Sequence, residues 1–223
     1  MTENNTQGLL VKVAVLGGTG KEGSGLARRW ALNGYQVMIG SRSAERAQEK
    51  VTEINGELGG DYLTGMGNAE AAEAADLVVL SVPYSAHAAT LESVKDKLSG
   101  KILVDVTVPT PFPEAAVVPE GKAAALEAQA IVGDDVRVVS AFQNVSAGKI
   151  KKTGTPVDTD VLVTGDDADA KADVIALVEA AGMRGLDAGP LANAVAAEAL
   201  TAVLYYINKT YKVRGAGVRI TGI

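Results

Sequence analysis

The segment that most constrains the fold is a strand followed at once by a glycine-rich turn and a helix, in residues 11–23. Apolar residues fill positions 13–16, and the turn carries Gly18, Gly20 and Gly23 in a Gly-x-Gly-x-x-Gly spacing. In such a turn Gly18 permits tight bending, Gly20 lets the backbone approach a pyrophosphate, and Gly23 lets the helix pack closely on the strand. The free N–H groups and positive dipole end of the helix favour an anion there. The segment therefore predicts a dinucleotide site, with an ordinary glycine-rich turn as the alternative.

The end of the second predicted strand, at residues 35–40, indicates which dinucleotide binds. An NAD site usually has an Asp or Glu about 20 residues beyond the loop, where it binds the ribose hydroxyls. This chain has Ser41 and Arg42 instead, and Arg46 follows one helical turn later. A hydroxyl and two guanidinium groups suit a 2′-phosphate, which a carboxylate would repel. We therefore expect NADP(H); the alternative is that Ser41 or Ser43 caps the next helix while both arginines are solvated.

Short apolar strands alternate with helical segments, which predicts an α/β fold with a Rossmann-type parallel sheet and helices on both faces. We expect residues 1–189 to form the NADP-binding domain, with a core at 1–140 and a sheet extension at 141–189. Residues 190–223 would form a small, mainly helical C-terminal domain that closes the cleft. The apolar run at 191–206 predicts a helix buried on all sides, against the sheet or a second subunit, and so favours a homodimer. The predicted strands are 9–16, 35–40, 62–66, 77–82, 102–106, 136–140, 161–164 and 183–186, and the predicted helices are 21–33, 44–55, 69–75, 86–98, 123–131, 170–181 and 191–206.

Composition argues against several classes of function. A net charge of −6 disfavours a nucleic-acid partner, and the absence of cysteine excludes disulfides and thiol chemistry. His87, the only histidine, lies near the start of a predicted helix, where we expect it to be exposed and not catalytic. The acidic run at 166–169 is expected to cap a helix and not to bind a metal. No apolar run reaches the ~18 residues of a membrane span, and no signal-type segment is evident at the start, so we expect a cytoplasmic protein that does not bind membranes.

Ligands of an open parallel sheet bind beyond the carboxyl ends of its strands. The loops after the fourth and fifth predicted strands, near Pro83 and Val108, would offer rigid apolar surfaces to a nicotinamide ring. The proline-containing loop at 107–113 is equally compatible with a plain connector. Titratable groups are scarce in these loops, which suits direct hydride transfer between two cofactor rings. We therefore expect no catalytic side chain and no metal.

The chain resembles the NADPH-dependent coenzyme F420 reductases, also called F420:NADP oxidoreductases, over nearly its whole length. The segments that carry the resemblance are residues 13–20, Gly40-Ser41-Arg42, Leu80-Ser81-Val82-Pro83, Ser140-Ala141-Phe142, Gly165-Asp166-Asp167 and the Asp-Ala-Gly-Pro-Leu sequence at 187–191.

The resemblance implies hydride transfer between NADP(H) and the deazaflavin coenzyme F420, stacked in a cleft between the two domains, with these small-molecule coenzymes as the partners. It implies that the pyrophosphate lies at Thr19, the nicotinamide at Pro83 and the deazaflavin near residues 142–145. The expected cofactor-binding residues are Gly18, Thr19, Gly20, Lys21, Glu22, Gly23, Ser41, Arg42, Arg46, Ser81, Val82, Pro83, Val108, Gln143, Asn144 and Val145.

One departure from the family concerns Gln143-Asn144, where some relatives have His-Thr. A neutral amide can still hydrogen-bond the deazaflavin, but it removes the basis for a proton-transfer role at that position. F420 also carries an acidic tail, and two basic groups are candidates to bind it, with a solvated basic face as the alternative. These groups are Lys209, Lys212, Arg214 and Arg219, and Lys149, Lys151 and Lys152.

Two other functions fit the sequence. One is an NADPH-dependent reductase of a small imine or carbonyl compound, which generally needs a proton donor in the cleft; the sequence indicates none. The other is a non-catalytic, regulatory NADPH-binding module.

Overall fold

The computed structural model describes residues 11–109 and 121–223. Their eight strands form one sheet in the order β3-β2-β1-β4-β5-β6-β7-β8. The strands are β1 (Lys12–Leu16), β2 (Gln36–Ser41), β3 (Leu63–Gly67), β4 (Leu77–Leu80), β5 (Ile102–Asp105), β6 (Arg137–Ser140), β7 (Asp160–Gly165) and β8 (Arg184–Asp187). The helices are α1 (Lys21–Leu32), α2 (Ala44–Leu58), α3 (Asn68–Ala74), α4 (Tyr84–Val94), α5 (Ala124–Val132), α6 (Ala147–Ile150), α7 (Ala168–Ala180) and α8 (Ala194–Thr210), with 3₁₀ turns at Lys95–Lys97 and Leu191–Asn193.

Helices cover both faces of the sheet, as predicted. In β1, Val13 and Val15 belong to the core on the face of α1 and α7, whereas Ala14 and Leu16 belong to the core on the face of α3, α4 and α5. Successive side chains of a strand point to opposite faces, so one short apolar run contributes to both cores. The described helices all lack the combination of length and apolar character that a membrane span requires.

The sheet is parallel, as predicted, except at one pair of strands. Strands β1 to β6 are parallel to their neighbours, but β7 runs antiparallel to β6, and β8 is again parallel to β7. A parallel connection needs a crossover, usually a full helix. Residues 141–159 contain only the four-residue α6, so the chain stays near the carboxyl end of β6 and enters β7 from that side. This reversal keeps residues 141–159 at the edge where ligands bind.

The last helix begins and ends later than predicted, at Ala194 and Thr210 in place of positions 191 and 206. Its buried residues are Ala194, Ala197, Glu198, Ala202 and Leu204. The other side is open in this chain, where Val203 and Tyr206 are 43% and 58% exposed. Within this chain the helix is buried on one side only, and its burial against a second subunit stays a prediction.

Other boundaries shift by a few residues. The strand predicted at 77–82 ends at Leu80, and the helix predicted at 86–98 begins at Tyr84, directly after Pro83, and ends at Val94. Positions 9 and 10 of the first predicted strand and positions 110–113 of the proline loop lie outside the described residues.

Candidate active site

In the loop after β1, the glycine that makes the turn is not the predicted one. The residue with left-handed backbone is Gly17, at φ +70°, where a Cβ would lie 2.5 Å from Ser81 O. Gly18 is needed for space, since its Cβ would lie 2.7 Å from Val15 O. Close packing at Gly23 is confirmed, because a Cβ there would lie 3.0 Å from Gly18 Cα. Gly20 is exposed, and a Cβ would meet only Gly17 O, at 3.4 Å, so its outer side is open to a ligand.

The N-terminus of α1, next to this loop, has the properties of an anion site. Gly20 is the N-cap residue and provides no side-chain cap. The first N–H groups of a helix have no intrahelical acceptor, so here they remain available to an anion beside the exposed Gly20. The neighbouring helix α2 is different, since Ser43 Oγ accepts from Arg46 N at 3.3 Å. A pyrophosphate therefore fits α1 and not α2.

The predicted 2′-phosphate residues lie together at the end of β2. Ser41 is buried, and both Arg42 and Arg46 are exposed. The capping alternative holds for Ser43 but not for Ser41, whose Oγ accepts from Ser43 N at 3.4 Å. Within the described ranges, neither arginine belongs to an ion pair with N–O separation of 4.0 Å or less. Capping by Ser43 and phosphate binding by the arginines are thus compatible.

The ends of β4 and β5 adjoin the glycine loop. The side chain of Ser81 lies close to Gly23, and Val82 lies close to Gly17. Pro83 is exposed as the N-cap residue of α4, and Val108 is partly buried. These residues form the edge of the loop on the side that the prediction assigns to the nicotinamide.

A cleft of about 290 Å³ separates this loop from residues 143–147 and α8. Five expected residues line it: Glu22, Val108, Gln143, Asn144 and Val145. The remaining expected residues do not line this cleft; they lie around the glycine loop and at the strand ends. Lining residues that the sequence analysis missed are Val106, Ser146, Ala147, Thr201, Leu204, Tyr205, Asn208 and Ala216.

Phe142 sets the direction of the wall opposite the glycine loop. Its φ of +75° places a bulky residue in the left-handed region, which is costly and is often found at functional sites. The ring is buried and meets Trp30 edge to face, with centroids 5.9 Å apart. Burial of this ring therefore holds the turn that directs the next residues to the cleft.

The amides of this wall are fixed by hydrogen bonds. Gln143 Nε2 donates to Asp105 O at 2.7 Å and to Ser140 Oγ at 2.9 Å. Asn144 Nδ2 donates to Ala197 O at 2.8 Å, while Thr201 Oγ1 donates to Gln143 O at 2.9 Å. Both amide NH₂ groups are engaged with protein, so the Gln143 side chain turns only an acceptor, Oε1, to further partners.

Glu198 connects α8 to the start of α5 and was also missed. Its side chain is 1% exposed, and its two oxygens accept from Ala124 N at 2.7 Å and Ala125 N at 3.2 Å. Burial raises the pKa of Glu198 to about 8, against the lowering effect of these two N–H groups. The polar residues Glu198 and Thr201 interrupt an apolar helical run, which is the signal that could have identified them.

The prediction that His87 is exposed is wrong. The ring is 1% exposed, and Nε2 lies 2.6 Å from Asp105 Oδ2, while Asp105 Oδ1 accepts from Thr107 N at 2.9 Å. The buried residues of α4 are His87, Thr90, Leu91 and Val94, a helical spacing that faces the sheet. That spacing was visible in the sequence. The His87–Asp105 pair supports the end of β5 from behind the cleft.

Glu22 gives the cleft a titratable group that the sequence analysis did not recognise as a proton donor. The residue lies in the first turn of α1, and its partly buried side chain lines the cleft. Burial raises the pKa of Glu22 to about 8.

The acidic run at 166–169 caps secondary structure, as predicted. Asp167 Oδ1 accepts from Ala170 N at 2.7 Å, and Asp166 Oδ1 accepts from Leu191 N at 2.9 Å. In residues 11–109 and 121–223, no group of three or more His, Cys, Asp or Glu side chains is arranged to hold a metal.

The basic residues predicted to bind the acidic tail of F420 differ in exposure and in ion pairing. Arg219 pairs with Asp160 and Asp158, whereas Lys209, Lys212 and Arg214 are exposed near the cleft residue Ala216. Of the second group, Lys149 lies beside the C-terminal tail, because its Cε is close to Gly215.

Comparison with known proteins identifies the family. Residues 12–109 match the family model described as NADP oxidoreductase, coenzyme F420-dependent. The F420-dependent NADP reductase of Methanothermobacter marburgensis is 42% identical over 96% of this chain and 99% of its own length, and that of Methanocaldococcus jannaschii is 39% identical over the same shares. A solved structure from Arthrobacter sp. FB24, described provisionally as an F420-dependent NADP reductase, superposes with a TM-score of 0.80 at 26% identity, covering 95% of this chain and all of that one. With this glycine loop, this cleft and these relatives, the chain belongs to the F420-dependent NADP reductase family.

Proposed function

We propose that this protein transfers a hydride between NADP(H) and the deazaflavin coenzyme F420. The observation that carries the proposal is the cleft in which the first turn of α1 faces residues 143–145. The relatives named above, similar over nearly their whole length, supply the chemical identity of the two coenzymes.

The anionic half of NADP(H) fits the loop side. The pyrophosphate would bind at the uncapped start of α1 through Gly18, Thr19, Gly20, Lys21, Glu22 and Gly23, and the 2′-phosphate at Ser41, Arg42 and Arg46. Charge-assisted hydrogen bonds from the two exposed guanidinium groups favour NADP(H) over NAD(H).

The redox halves of both coenzymes fit the cleft together with the ends of β4 and β5 that adjoin the glycine loop. Ser81, Val82, Pro83 and Val108 would contact the nicotinamide, and Gln143, Asn144 and Val145 the deazaflavin. When bound, the two rings supply the hydride donor and acceptor carbons, so the hydride itself needs no side chain. The buried walls hold the rings and exclude water, which is the main requirement of direct transfer.

The organisation around this cleft is part of the proposal. Residues 190–223 act as the small unit that closes it, and residues 1–189 as the NADP-binding unit. A homodimer through the open side of α8 would cover Val203 and Tyr206, and light scattering on the purified protein measures the subunit count. We place the protein in the cytoplasm, where both coenzymes are available.

The function is tested by mixing the protein with NADPH and oxidised F420 and following the loss of deazaflavin absorbance. We expect loss with NADPH and much less with NADH. Bound NADPH with no loss of absorbance would refute the proposal. Reduction of a small cyclic imine in the absence of F420 would support the second candidate, an imine or carbonyl reductase, which gains plausibility from Glu22 as a proton donor in the cleft.

A further inference from the structure

Glu22 is an unusual residue in this cleft. Among the described residues that line the cleft, it is the one carboxyl group, and Tyr205 of α8 is the one other titratable side chain. The groups across from it, Gln143 and Asn144, are neutral amides whose NH₂ groups donate to protein atoms. A proton that is given or taken inside the cleft therefore has few possible carriers.

The surroundings of Glu22 favour the neutral acid. Burial raises the pKa of this carboxyl to about 8, although the helix N-terminus by itself favours an anion. Lys21, the nearest cation along the chain, is exposed. At neutral pH the carboxyl holds its proton, so it does not repel a pyrophosphate bound to the same helix turn. Its partial exposure leaves a path for solvent to replace a proton that has been used.

Other charged groups near the cleft, among the described residues, lie outside its lining. His87 and Asp105 pair with each other behind β5, and Glu198 accepts from the start of α5. Lys149, from the segment after β6, packs beside Gly215 at the margin. None of these five residues is among the residues that line the cleft.

Hydride transfer to a deazaflavin also consumes a proton. The C4–H bond of the dihydronicotinamide breaks, a C–H bond forms at the deazaflavin carbon, and a deazaflavin ring nitrogen gains a proton, so NADPH, F420 and one H⁺ give NADP⁺ and reduced F420. In the reverse direction that N–H proton must leave. An amide such as Gln143 does not exchange a proton at neutral pH, whereas a carboxyl group does.

Building on the function proposed above, we propose that Glu22 supplies the proton that accompanies the hydride to F420 and accepts it back in the reverse reaction. The residue takes the part that Gln143 cannot perform, from the opposite wall of the cleft. After donation Glu22 is a carboxylate, which solvent reprotonates.

The first test measures the proton on Glu22 without any turnover. Infrared spectra of the coenzyme-free protein at neutral pH should contain a protonated-carboxyl band that disappears as the pH rises through about 8. The Glu22→Gln variant should lack that band. Glu198, whose pKa burial also raises to about 8, gives a second band that this variant should retain. An identical set of bands in wild type and Glu22→Gln would refute the proposal.

The second test measures single-turnover reduction of F420 by NADPH. At saturating NADPH we expect Glu22→Gln to slow this step by about 100-fold or more, the usual size of a general-acid contribution. The wild-type rate should fall as the pH rises above about 8, where the acid form is lost, and the variant rate should not. Glu92→Gln, at an exposed carboxyl near the end of α4, serves as the control and should behave as wild type.

The outcomes separate the two proposals. A wild-type protein that binds NADPH but never reduces F420 would overturn the proposed function. A Glu22→Gln variant with wild-type single-turnover rates and pH profile would overturn only the role of Glu22.

Discussion

The two walls of the cleft are built by different means. The glycine-loop wall is one continuous turn of the chain, in which Gly18 and Gly23 pack against each other and Gly17 packs against Ser81 at the end of β4. The opposite wall is assembled from distant parts of the chain, because Asn144 and Gln143 are held by positions 53 and 58 residues later, on α8. A local wall leaves a spacing in the sequence, whereas an assembled wall leaves only scattered polar residues. The coenzyme that binds the first wall is thus the easier one to predict.

Arg29 joins the two walls, and its removal is expected to have the largest effect. This α1 residue is buried and donates to the carbonyl oxygens of Ile150 and Ala181, both at 2.7 Å, and to that of Lys152. Arg29→Met would leave several buried acceptors unsatisfied. We expect the free energy of unfolding to fall by about 3 kcal/mol or more, measured by chemical denaturation. A loss below about 1 kcal/mol would show that water replaces the guanidinium.

The control for Arg29 lies on the same helix. Leu32 is 43% exposed, and Leu32→Ala should change the free energy of unfolding by no more than about 0.5 kcal/mol.

Replacing Arg42 and Arg46 together with alanine tests the NADP(H)-binding wall alone. Loss of charge-assisted hydrogen bonds to a 2′-phosphate should lower the affinity for NADPH by about 100-fold, or about 2–3 kcal/mol, while the affinity for NADH changes little. Isothermal titration calorimetry with NADPH and with NADH measures the two dissociation constants. Lys50→Ala on the same helix is the control, since Lys50 pairs with Glu53. Equal weakening of NADPH and NADH would refute the 2′-phosphate assignment.

A substitution at Asp160 tests how the C-terminal tail is held beside the assembled wall. The carboxylate accepts from Arg184 Nη2 and from Ile220 N, both at 2.6 Å. The Arg184 hydrogen bond lowers the pKa of Asp160 to about 2. Because the folded-state pKa lies below the unfolded value of about 3.9, the stabilisation is present above that value and is lost as the pH falls toward 2.

Asp160→Asn should therefore be less stable than wild type at neutral pH, and the difference should shrink in acid. Thermal unfolding of both proteins between neutral and strongly acidic pH measures it. Asp158→Asn is the control, because Asp158 is highly exposed and lies 3.6 Å from Arg219. A constant difference at every pH would contradict the assignment.

Thr201→Val probes the assembled wall with the smallest expected change. The substitution keeps the shape but removes the hydroxyl that donates to Gln143 O. We expect a loss of about 1 kcal/mol in stability and a several-fold rise in KM for F420, with NADPH affinity unchanged. Thr52→Val is the matched control, since its hydroxyl also donates to a backbone carbonyl, that of Gln48, on a distant helix. Equal changes in the KM for F420 and in the affinity for NADPH would mean that the two walls of the cleft are coupled.

Most of the fold was predictable because its signals are local. Strand alternation, glycine at the end of α1 and capping by Asp167 are determined within a few residues, and all three are confirmed. The antiparallel β7 was missed because hydrophobic patterns give a strand its position but not its direction. The burial of His87 was missed although its helical spacing was available, because a lone polar residue was weighed without its neighbours on α4.

By itself, the sequence determined the glycine loop and the family and predicted the phosphate ligands, because short spacings of glycine, serine and arginine specify backbone geometry and charge. Only the tertiary structure decided that Gly17 makes the left-handed turn, that Gln143 and Asn144 are held by α8, and that Glu22 lines the cleft opposite them. These features depend on which distant atoms become neighbours and on how far water is excluded. Burial and pKa are therefore properties of the folded chain and not of any segment of its sequence.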